Sequence, residues 1–297
     1  MMRYKNKHGF TLIELIITIV LIGILSVFLS NIILLPINNF FEINKRTQIV
    51  SLADQALYKL RLELSRAAPY SVRTDTRKDA ASTDSVSLIE FYPSNSAMRY
   101  IRKYGTTIAP PYTLDVNTET TQFTVRGKFF DFDPIQNYQV YIYNDNPYGV
   151  TNLIYKQESV ITATQKINLS ANPTNIDNLG EYTVTINKHK FGGNSPFSIV
   201  HFIKSPISYV CDTRSGEITR VSNYTPTATI LWKTDGGYQK PTFTGGQTDI
   251  LVKQVKSCEF YWDTYRRFLL VNLQLKDEIS GTTTLQMYDL IFSNTML

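Results

Sequence analysis

The sequence predicts an α+β protein, in which one long N-terminal helix is followed by a head of antiparallel β-strands. Residues 10–35 form an apolar run, and residues 36–68 continue with apolar side chains at three- and four-residue steps, as in an amphipathic helix. From about residue 86 the chain turns to short β-branched and aromatic runs separated by Pro, Gly, Asn and Asp. These patterns predict a helix that ends near residue 68 and a β-rich head over residues 69–297.

A short basic leader, residues 1–9, precedes the apolar run. Its Arg3, Lys5 and Lys7 predict a cytoplasmic N-terminus, with most of the chain on the far side of a membrane. As a helix, residues 10–35 would extend roughly 39 Å, enough to cross a hydrocarbon core of about 30 Å. Small residues typical of a signal-peptidase site do not follow the apolar run, so an uncleaved membrane anchor is one interpretation.

Glu14 is the one ionisable residue in the apolar run, and a simple anchor would gain nothing from it. An unpaired carboxylate in lipid costs on the order of a few kcal/mol near the bilayer centre and less near its edge. Cleavage after Gly9 would supply a positive partner, the new α-amine of Phe10. The position of Glu14 therefore favours a processed leader over an ordinary anchor.

The stretch Gly9-Phe10-Thr11-Leu12-Ile13-Glu14-Leu15 resembles the class III leader of type IV pilins and of type II secretion pseudopilins. The resemblance implies that a prepilin peptidase cleaves between Gly9 and Phe10 and methylates the new amine of Phe10. It also implies that Glu14 pairs with the N-terminus of a subunit during assembly. The expected fold is then the pilin fold, held in the bacterial inner membrane with a periplasmic head before it enters a pilus at the cell surface.

Residues 36–68 are predicted to form the second half of the N-terminal helix and to pack on the head. Pro36 should kink or loosen the helix, because it removes one amide donor, and Pro69 should end it. One face is apolar and the other carries charges that we interpret as solvated. The apolar positions are Ile49, Leu52, Ala53, Ala56, Leu57, Leu60, Leu64 and Ala67, and the charged ones are Lys45, Arg46, Asp54, Lys59, Arg61, Glu63 and Arg66.

The head is predicted to be an antiparallel sheet laid on the helix, with an inserted β lobe over about residues 115–200. Residues 70–85 are polar and without periodicity, so we expect a loop there, and residues 160–179 have a weak signal for a short helix. The strand-like runs are VSLIEFY, TQFTVRGKFFDF, YQVYIYN, EYTVTINK, FSIVHFI, ISYVCD, TATILWK, CEFYWD, RFLLVNLQLKD and TTLQMYDLIF.

The runs PISYVCDTRSGEITRVSNY and VKSCEFYWD, with LELSRAAPYSVR at the helix end, are similar to the minor pilin at the O position of mannose-sensitive haemagglutinin pilus operons. This resemblance implies a structural subunit that starts or caps a pilus, without enzyme activity or cofactor. Its partners would be the prepilin peptidase, other minor pilins, the major pilin and the inner-membrane assembly machinery. A head this large should clash if repeated along a fibre, which predicts a tip position. A J-class pseudopilin of type II secretion shares the leader and helix and stays an alternative.

The two cysteines, Cys211 and Cys258, both lie in the head. Outside the cytoplasmic membrane the surroundings are oxidising, so we expect these thiols to form a disulfide. Both flank strand-like runs, as a bridge between neighbouring strands requires. Two buried free thiols are the alternative.

The remaining residue patterns give no strong case for catalysis, metal or nucleic acid. Outside the leader the histidines are His189 and His201, and neither belongs to a recognisable catalytic arrangement. The formal net charge of +5 includes the three basic leader residues, so the rest of the chain is close to neutral, which argues against nucleic acid as the main partner.

Three groups of residues are compatible with ligand binding, although ordinary surface chemistry also explains them. Asp131, Asp133 and residues 144–146 could ligate calcium but fit turns better. Residues 98–105, MRYIRKYG, mix basic and aromatic side chains as single-strand nucleic-acid sites do, although an exposed strand edge has the same composition. The 19 tyrosines could build a glycan-binding surface, which keeps a tip adhesin as an alternative function.

Overall fold

The computed structural model describes residues 11–102, 113–127, 137–142, 153–156, 161–163, 165–171, 180–235, 237–276 and 284–292. The chain divides into two compact units, residues 1–51 and residues 52–297. Gly9 and Phe10, Asp131 and Asp133, and residues 144–146 lie outside the described residues.

Helix α1 runs from Leu12 to Leu64 and continues through position 36. Pro36 therefore does not end the helix; the predicted kink at this position stays a prediction. Among the described residues, no helix combines the length and the hydropathy that a membrane crossing requires.

The helix ends earlier than predicted, at Leu64 rather than near Ala68. The Ala67 amide donates to Leu64 O (3.0 Å), a tightened final turn, and the Ala68 amide then donates to Tyr92 O (2.7 Å). Ala67 also forms a bridge with Pro93. The backbone thus leaves the helix because it pairs with the chain around residues 92–94, well before Pro69 could act.

The described head contains seventeen strands and one short helix, α2. Helix α2 spans Leu153–Lys156. The strands are β1 Arg73–Lys78, β2 Ser85–Phe91, β3 Ser94–Tyr100, β4 Thr120–Arg126, β5 Asn137–Tyr141, β6 Gln165–Lys166, β7 Asn168–Ala171, β8 Glu181–His189, β9 Ile199–Ile203, β10 Ile207–Asp212, β11 Glu217–Ser222, β12 Trp232–Asp235, β13 Tyr238–Pro241, β14 Gln247–Lys253, β15 Val255–Asp263, β16 Phe268–Lys276 and β17 Thr284–Phe292.

A five-stranded antiparallel sheet has the order β1-β2-β10-β11-β14. Strands β2 and β10 are neighbours in this sheet although residues 92–206 separate them along the chain. Those intervening residues supply every strand of a second sheet. The described strands of the head are therefore antiparallel, as predicted.

The second sheet has seven strands in the order β6-β5-β9-β3-β4-β8-β7. Its two end strands, β6 and β7, are separated by the single residue Ile167, so the sheet closes on itself. Ile167 is buried with Phe123, Tyr138 and Phe202 in the apolar interior that the closed sheet surrounds. The predicted boundaries of a separate inserted lobe, residues 115–200, stay a prediction.

Two smaller sheets complete the described head. Strands β15, β16 and β17 form a three-stranded antiparallel sheet, and β12 pairs with β13 in a hairpin. On β16, Leu269, Val271 and Leu273 alternate as buried residues with more exposed neighbours. This period of two is typical of a sheet with one covered face.

In the second unit, the apolar face of α1 is buried where the sequence predicts it. Ala53, Ala56, Leu57, Leu60 and Leu64 are buried, with Ala67 after the helix end. The prediction is wrong for Leu52, which is half exposed. The buried positions follow the three- and four-residue spacing that places side chains on one helical face.

One local expectation in the head is wrong, and another is tested only in part. Residues 70–85 contain strand β1 rather than only loop, because polar residues at a sheet edge lack the alternation that marks a half-buried strand. A short helix was expected in part of residues 160–179; here positions 165–166 and 168–171 are strands β6 and β7, and residues 172–179 lie outside the described ones. These two strands form because they pair with β5 and β8, which are distant in sequence, and such pairing leaves no periodic pattern in the local sequence.

Candidate functional site

Glu14 lies in the first turn of α1 and is held by Thr11, the residue before the helix. The Glu14 amide donates to Thr11 O at 3.1 Å and lies 3.4 Å from Thr11 Oγ1, while the Leu15 amide donates to Thr11 O at 3.2 Å. A carboxylate here is also favoured by the helix dipole. Thr11-x-x-Glu14 has the spacing of a capping box, a signal present in the sequence that our interpretation of the leader did not use.

The helix that follows Glu14 exposes apolar side chains around its circumference. The exposed residues between positions 12 and 29 are Leu12, Ile13, Leu15, Ile16, Ile17, Ile19, Val20, Leu21, Ile22, Ile24, Leu25, Phe28 and Leu29. The hydroxyls of Thr18 and Ser26 donate to Leu15 O (2.8 Å) and Ile22 O (2.6 Å) of the same helix. Such a surface requires an apolar environment, and internal bonds of this kind leave few polar groups that need water.

Glu63, on the second half of α1, is fixed to the five-stranded sheet. Arg220 Nε of β11 lies 3.1 and 3.0 Å from the two Glu63 oxygens, and Arg220 Nη2 lies 2.9 Å from Oε1. The Tyr209 hydroxyl of β10 donates to Glu63 Oε2 at 2.6 Å. Glu63 is therefore not part of a purely solvated face, which corrects the sequence interpretation for this residue.

Burial and charge act on this cluster together. Burial alone would lower the pKa of Arg220, but its hydrogen bonds and charge interaction with Glu63 raise it above the ordinary value. Burial, and then the Glu63 carboxylate, raise the pKa of Tyr209. Tyr209 stays a neutral donor and Arg220 a cation across the physiological range, so the cluster is a stable tie between helix and sheet.

A second ion pair joins α1 to the three-stranded sheet, and in this pair the helix supplies the cation and the sheet the anion. Arg61 Nη2 lies 2.6 Å from Asp289 Oδ1 of β17, with the arginine half exposed. Arg61 and Glu63, two residues apart on α1, thus contact two different sheets. The second half of the helix is anchored in both.

Cys211 of β10 and Cys258 of β15 form the disulfide that the sequence predicts. Their Cα atoms are 6.3 Å apart. The sequence predicted a bridge between neighbouring strands. The bridge instead links strands of two different sheets, β10 of the five-stranded sheet and β15 of the three-stranded one. Next to it, the Phe260 amide donates to Ser87 Oγ at 3.0 Å, a second contact between the same sheets.

The structure adds little support for nucleic-acid binding by residues 98–105 or for a metal site. Tyr100 is buried and its hydroxyl donates to Asn194 Oδ1 (3.1 Å), while Arg102 donates to the carbonyls of Ser195 and Pro196. These two members of the 98–105 segment are engaged within the chain, and its residues 103–105 lie outside the described ones. In the described part of the chain, no three His, Cys, Asp or Glu side chains are grouped to hold a metal.

Comparison with known proteins identifies a motif in the N-terminal segment. A model of the prokaryotic N-terminal methylation motif matches residues 4–30. No curated protein and no solved structure matches the chain. The motif supports a type IV pilin-like or pseudopilin protein, processed by a prepilin peptidase and handled by pilus machinery in general. It indicates a membrane-anchored protein that becomes associated with a pilus or the cell surface.

Proposed function

We propose that this protein is a minor pilin, a structural subunit that starts or caps a type IV pilus and has no enzyme activity. The observation that carries the proposal is the methylation motif over residues 4–30, which begins ahead of a helix with Glu14 in its first turn. The similarity of the YVCD and CEFYWD runs to the haemagglutinin-pilus minor pilin adds the finer assignment. The proposed fold is the pilin fold, with residues 115–200 as an inserted lobe.

In this proposal the first half of α1 has two successive environments. It sits in the inner membrane, with the basic leader in the cytoplasm and the head in the periplasm, and later among other helices in a pilus core. Its exposed apolar circumference supports this, since neither lipid nor a helical bundle leaves such a surface in water.

Glu14 pairs with an N-terminal ammonium, its own or that of a neighbouring subunit. A carboxylate in apolar surroundings is costly alone and favourable when neutralised. The Thr11 contacts support this role, because the first turn is ordered around a backbone cap and the side chain can then project to a partner. Pairing would recruit the subunit and fix its axial position.

The protein is proposed to be rare and located at or near the pilus tip. Its support is the size of the head, in which a seven-stranded closed sheet is inserted between the paired strands β2 and β10. Subunits in a fibre are spaced by their packed helices, so a bulky head is tolerated best where no subunit lies above it. An exposed end would also suit the alternative role of a tip adhesin.

The motif is shared with pseudopilins, so a genetic test must separate two assemblies. We expect deletion of the gene to abolish or reduce piliation while leaving type II secretion intact, with rescue by the wild-type gene. Loss of secretion with normal pili would instead assign a J-class pseudopilin. Normal pili that fail to attach to a surface would assign an adhesin.

A further inference from the structure

The five-stranded sheet has a second covered face, away from α1. Tyr209 and Arg220 pair across β10 and β11 and contact the helix residue Glu63. Because side chains alternate along a strand, Val210 and Asp212 point to the opposite face. That face is covered by residues 223–246, the excursion between β11 and β14 that contains the β12–β13 hairpin.

One end of this excursion is fixed by buried hydrogen bonds. The Tyr224 hydroxyl donates to Glu90 of β2 and lies 2.7 Å from Ser208 Oγ of β10. Arg73 of β1 pairs with Glu90 and donates to the carbonyls of residues 227 and 228 at 3.1 and 3.0 Å. The first part of the excursion is therefore rigidly attached to the sheet.

The other end is fixed at Asp212 of β10. The Tyr238 hydroxyl donates to Asp212, and Lys240 Nζ lies 2.7 Å from Asp212 Oδ2. Trp232 of β12 adds a hydrogen bond to Asp75 of β1 at 3.0 Å. With both ends held, the space between excursion and sheet is preformed.

That space is a cleft of about 260 Å³ with an apolar floor and one aromatic wall. Val210 and Val221 contribute to the floor, and Phe243 forms the wall, held against the Tyr224 ring at a centroid distance of 4.8 Å. Gly246 lets the wall approach the floor, since a Cβ there would lie 2.9 Å from Val221 Cγ1 and 3.3 Å from Phe243 Cβ.

The rim carries a donor and an acceptor with capacity for a ligand. Lys240 has three N–H donors and its side chain is half exposed, so its contact with Asp212 does not exhaust them. Glu217 lies 4.0 Å from Lys253, beyond hydrogen-bond distance, which leaves its oxygens able to accept. The hydroxyls of Thr219 and Thr248 complete the polar lining.

We propose that this cleft binds one pyranose ring of a glycan. A sugar ring has an apolar C–H face that suits the valine floor and the Phe243 wall. Its adjacent hydroxyls both donate and accept, which suits the Glu217 carboxylate and the Lys240 ammonium. The volume lies below the roughly 300–1,000 Å³ of sites for drug-sized ligands, so it fits a single ring. The inference does not depend on the proposed role in pilus assembly.

Saturation-transfer difference NMR on the full chain tests the proposal, in a zwitterionic detergent without a sugar head group. The probes are methyl pyranosides of gluco, galacto and manno configuration and the N-acetylglucosamine glycoside. We expect at least one to bind with a Kd of about 1 mM. Glu217→Gln should weaken binding about tenfold, and Thr248→Trp, which fills the mouth from an exposed position, should weaken it further. Glu259→Gln, exposed on β15, is the matched control and should stay within about twofold of the wild type.

Three outcomes would overturn the proposal. The first is the absence of transfer to every glycoside at about 10 mM. The second is equal binding by wild type, Glu217→Gln and Thr248→Trp, which would locate any sugar contact elsewhere. The third is binding of the blocked peptide Ac-Gly-Lys-Gly-amide in place of the sugars, which would assign the cleft to a basic side chain. Circular dichroism spectra that match the wild type establish that each variant is folded, and Glu217→Gln decides alone if Thr248→Trp is not.

Discussion

Glu63 and Arg220 form a bidentate ion pair between α1 and β11, with nitrogen-to-oxygen distances of 2.9 to 3.1 Å. The side chains are mostly buried, at 22% and 14% exposed. A pair in this environment fixes the part of α1 that belongs to the second unit, residues 52–64, on the sheet, since both oxygens must be satisfied at once.

Arg220→Ala should destabilise the head by roughly 2–3 kcal/mol, because it leaves the Glu63 carboxylate buried with Tyr209 alone. Lys188→Ala is the control in the same unit, since Lys188 and Glu119 form an exposed pair, and should cost less than about 0.5 kcal/mol. Denaturant unfolding of the full chain, followed by tryptophan fluorescence, measures both. Equal losses in the two variants would contradict a special role for the Glu63–Arg220 pair.

Lowering the pH should reduce the folding stability of the head, because His201 is protonated in the unfolded chain before it is protonated in the folded one. Burial lowers the pKa of His201 to about 4, against an ordinary value of 6.5. Between these values the unfolded chain binds a proton that the folded chain does not, so stability falls as the pH is lowered from about 6.5 to about 4. The slope from this residue is at most about 1.4 kcal/mol per pH unit, and the total about 3 kcal/mol.

His201→Gln should flatten the stability-versus-pH curve over this window, measured as the difference from wild type so that carboxylate titration cancels. Gln can keep a hydrogen bond to Ser94, whose Oγ lies 3.0 Å from His201 Nδ1. A His201→Gln curve parallel to wild type would show that His201 does not titrate as expected.

Loss of the Cys211–Cys258 bridge should cost about 4 kcal/mol in the chain-entropy model, for a sequence separation of 47 residues. The double variant Cys211→Ser, Cys258→Ser and the reduced wild type should unfold at the same lower denaturant concentration. Reductant should have no effect on the double variant. Two reactive thiols in unfolded, unreduced wild type would rule the bridge out in the protein as isolated.

Substitutions of Gly9 and of Glu14 should have different effects, the first on leader cleavage and the second on assembly. Replacing Gly9 with leucine should leave full-length precursor in the membrane fraction. Glu14→Ala should be inserted and cleaved normally, since spanning does not need a carboxylate, yet be lost from sheared pili. Immunoblots of membrane and pilus fractions check both. Glu14→Ala present in pili at the wild-type level would refute the pairing role.

Immunogold labelling of intact pili with an antibody to the head should mark one end of the fibre. The expectation follows from a head too large to repeat beside neighbouring subunits. The major pilin, labelled in parallel, should mark the whole shaft. Even labelling of the shaft by the head antibody would reject the tip position.

The sequence predicted those parts of the fold that a local pattern encodes. The buried face of α1 repeats Ala53, Ala56, Leu57 and Leu60 at helical spacing, and most aromatic and β-branched runs are strands, such as β10 and β16. The disulfide was predictable because Cys211 and Cys258 are the two cysteines of the chain and a non-cytoplasmic location was expected.

Other features depend on partners distant in sequence and leave no local signal. In the sequence, Glu63 is one of several charged residues on a polar helix face. Its partner Arg220 lies on β11, far along the chain, so the pair leaves no local pattern. Strand β1 is polar and lies at a sheet edge, and its Arg73 is buried against partners distant in sequence, Glu90 of β2 and the carbonyls of residues 227 and 228. The cleft wall at Phe243 likewise depends on an excursion whose path is set by ties to β1, β2 and β10.

The closure of the seven-stranded sheet limits how this part of the head can touch other proteins. Residues 165–166 pair with β5 and residues 168–171 pair with β8, so both ends of the strand order lie on one short continuous segment. An outermost strand is a template on which a foreign chain can extend a sheet through main-chain hydrogen bonds. At the two ends of this strand order only the short segment 165–171 can offer such a template, so contacts with neighbouring subunits there should depend mainly on side chains.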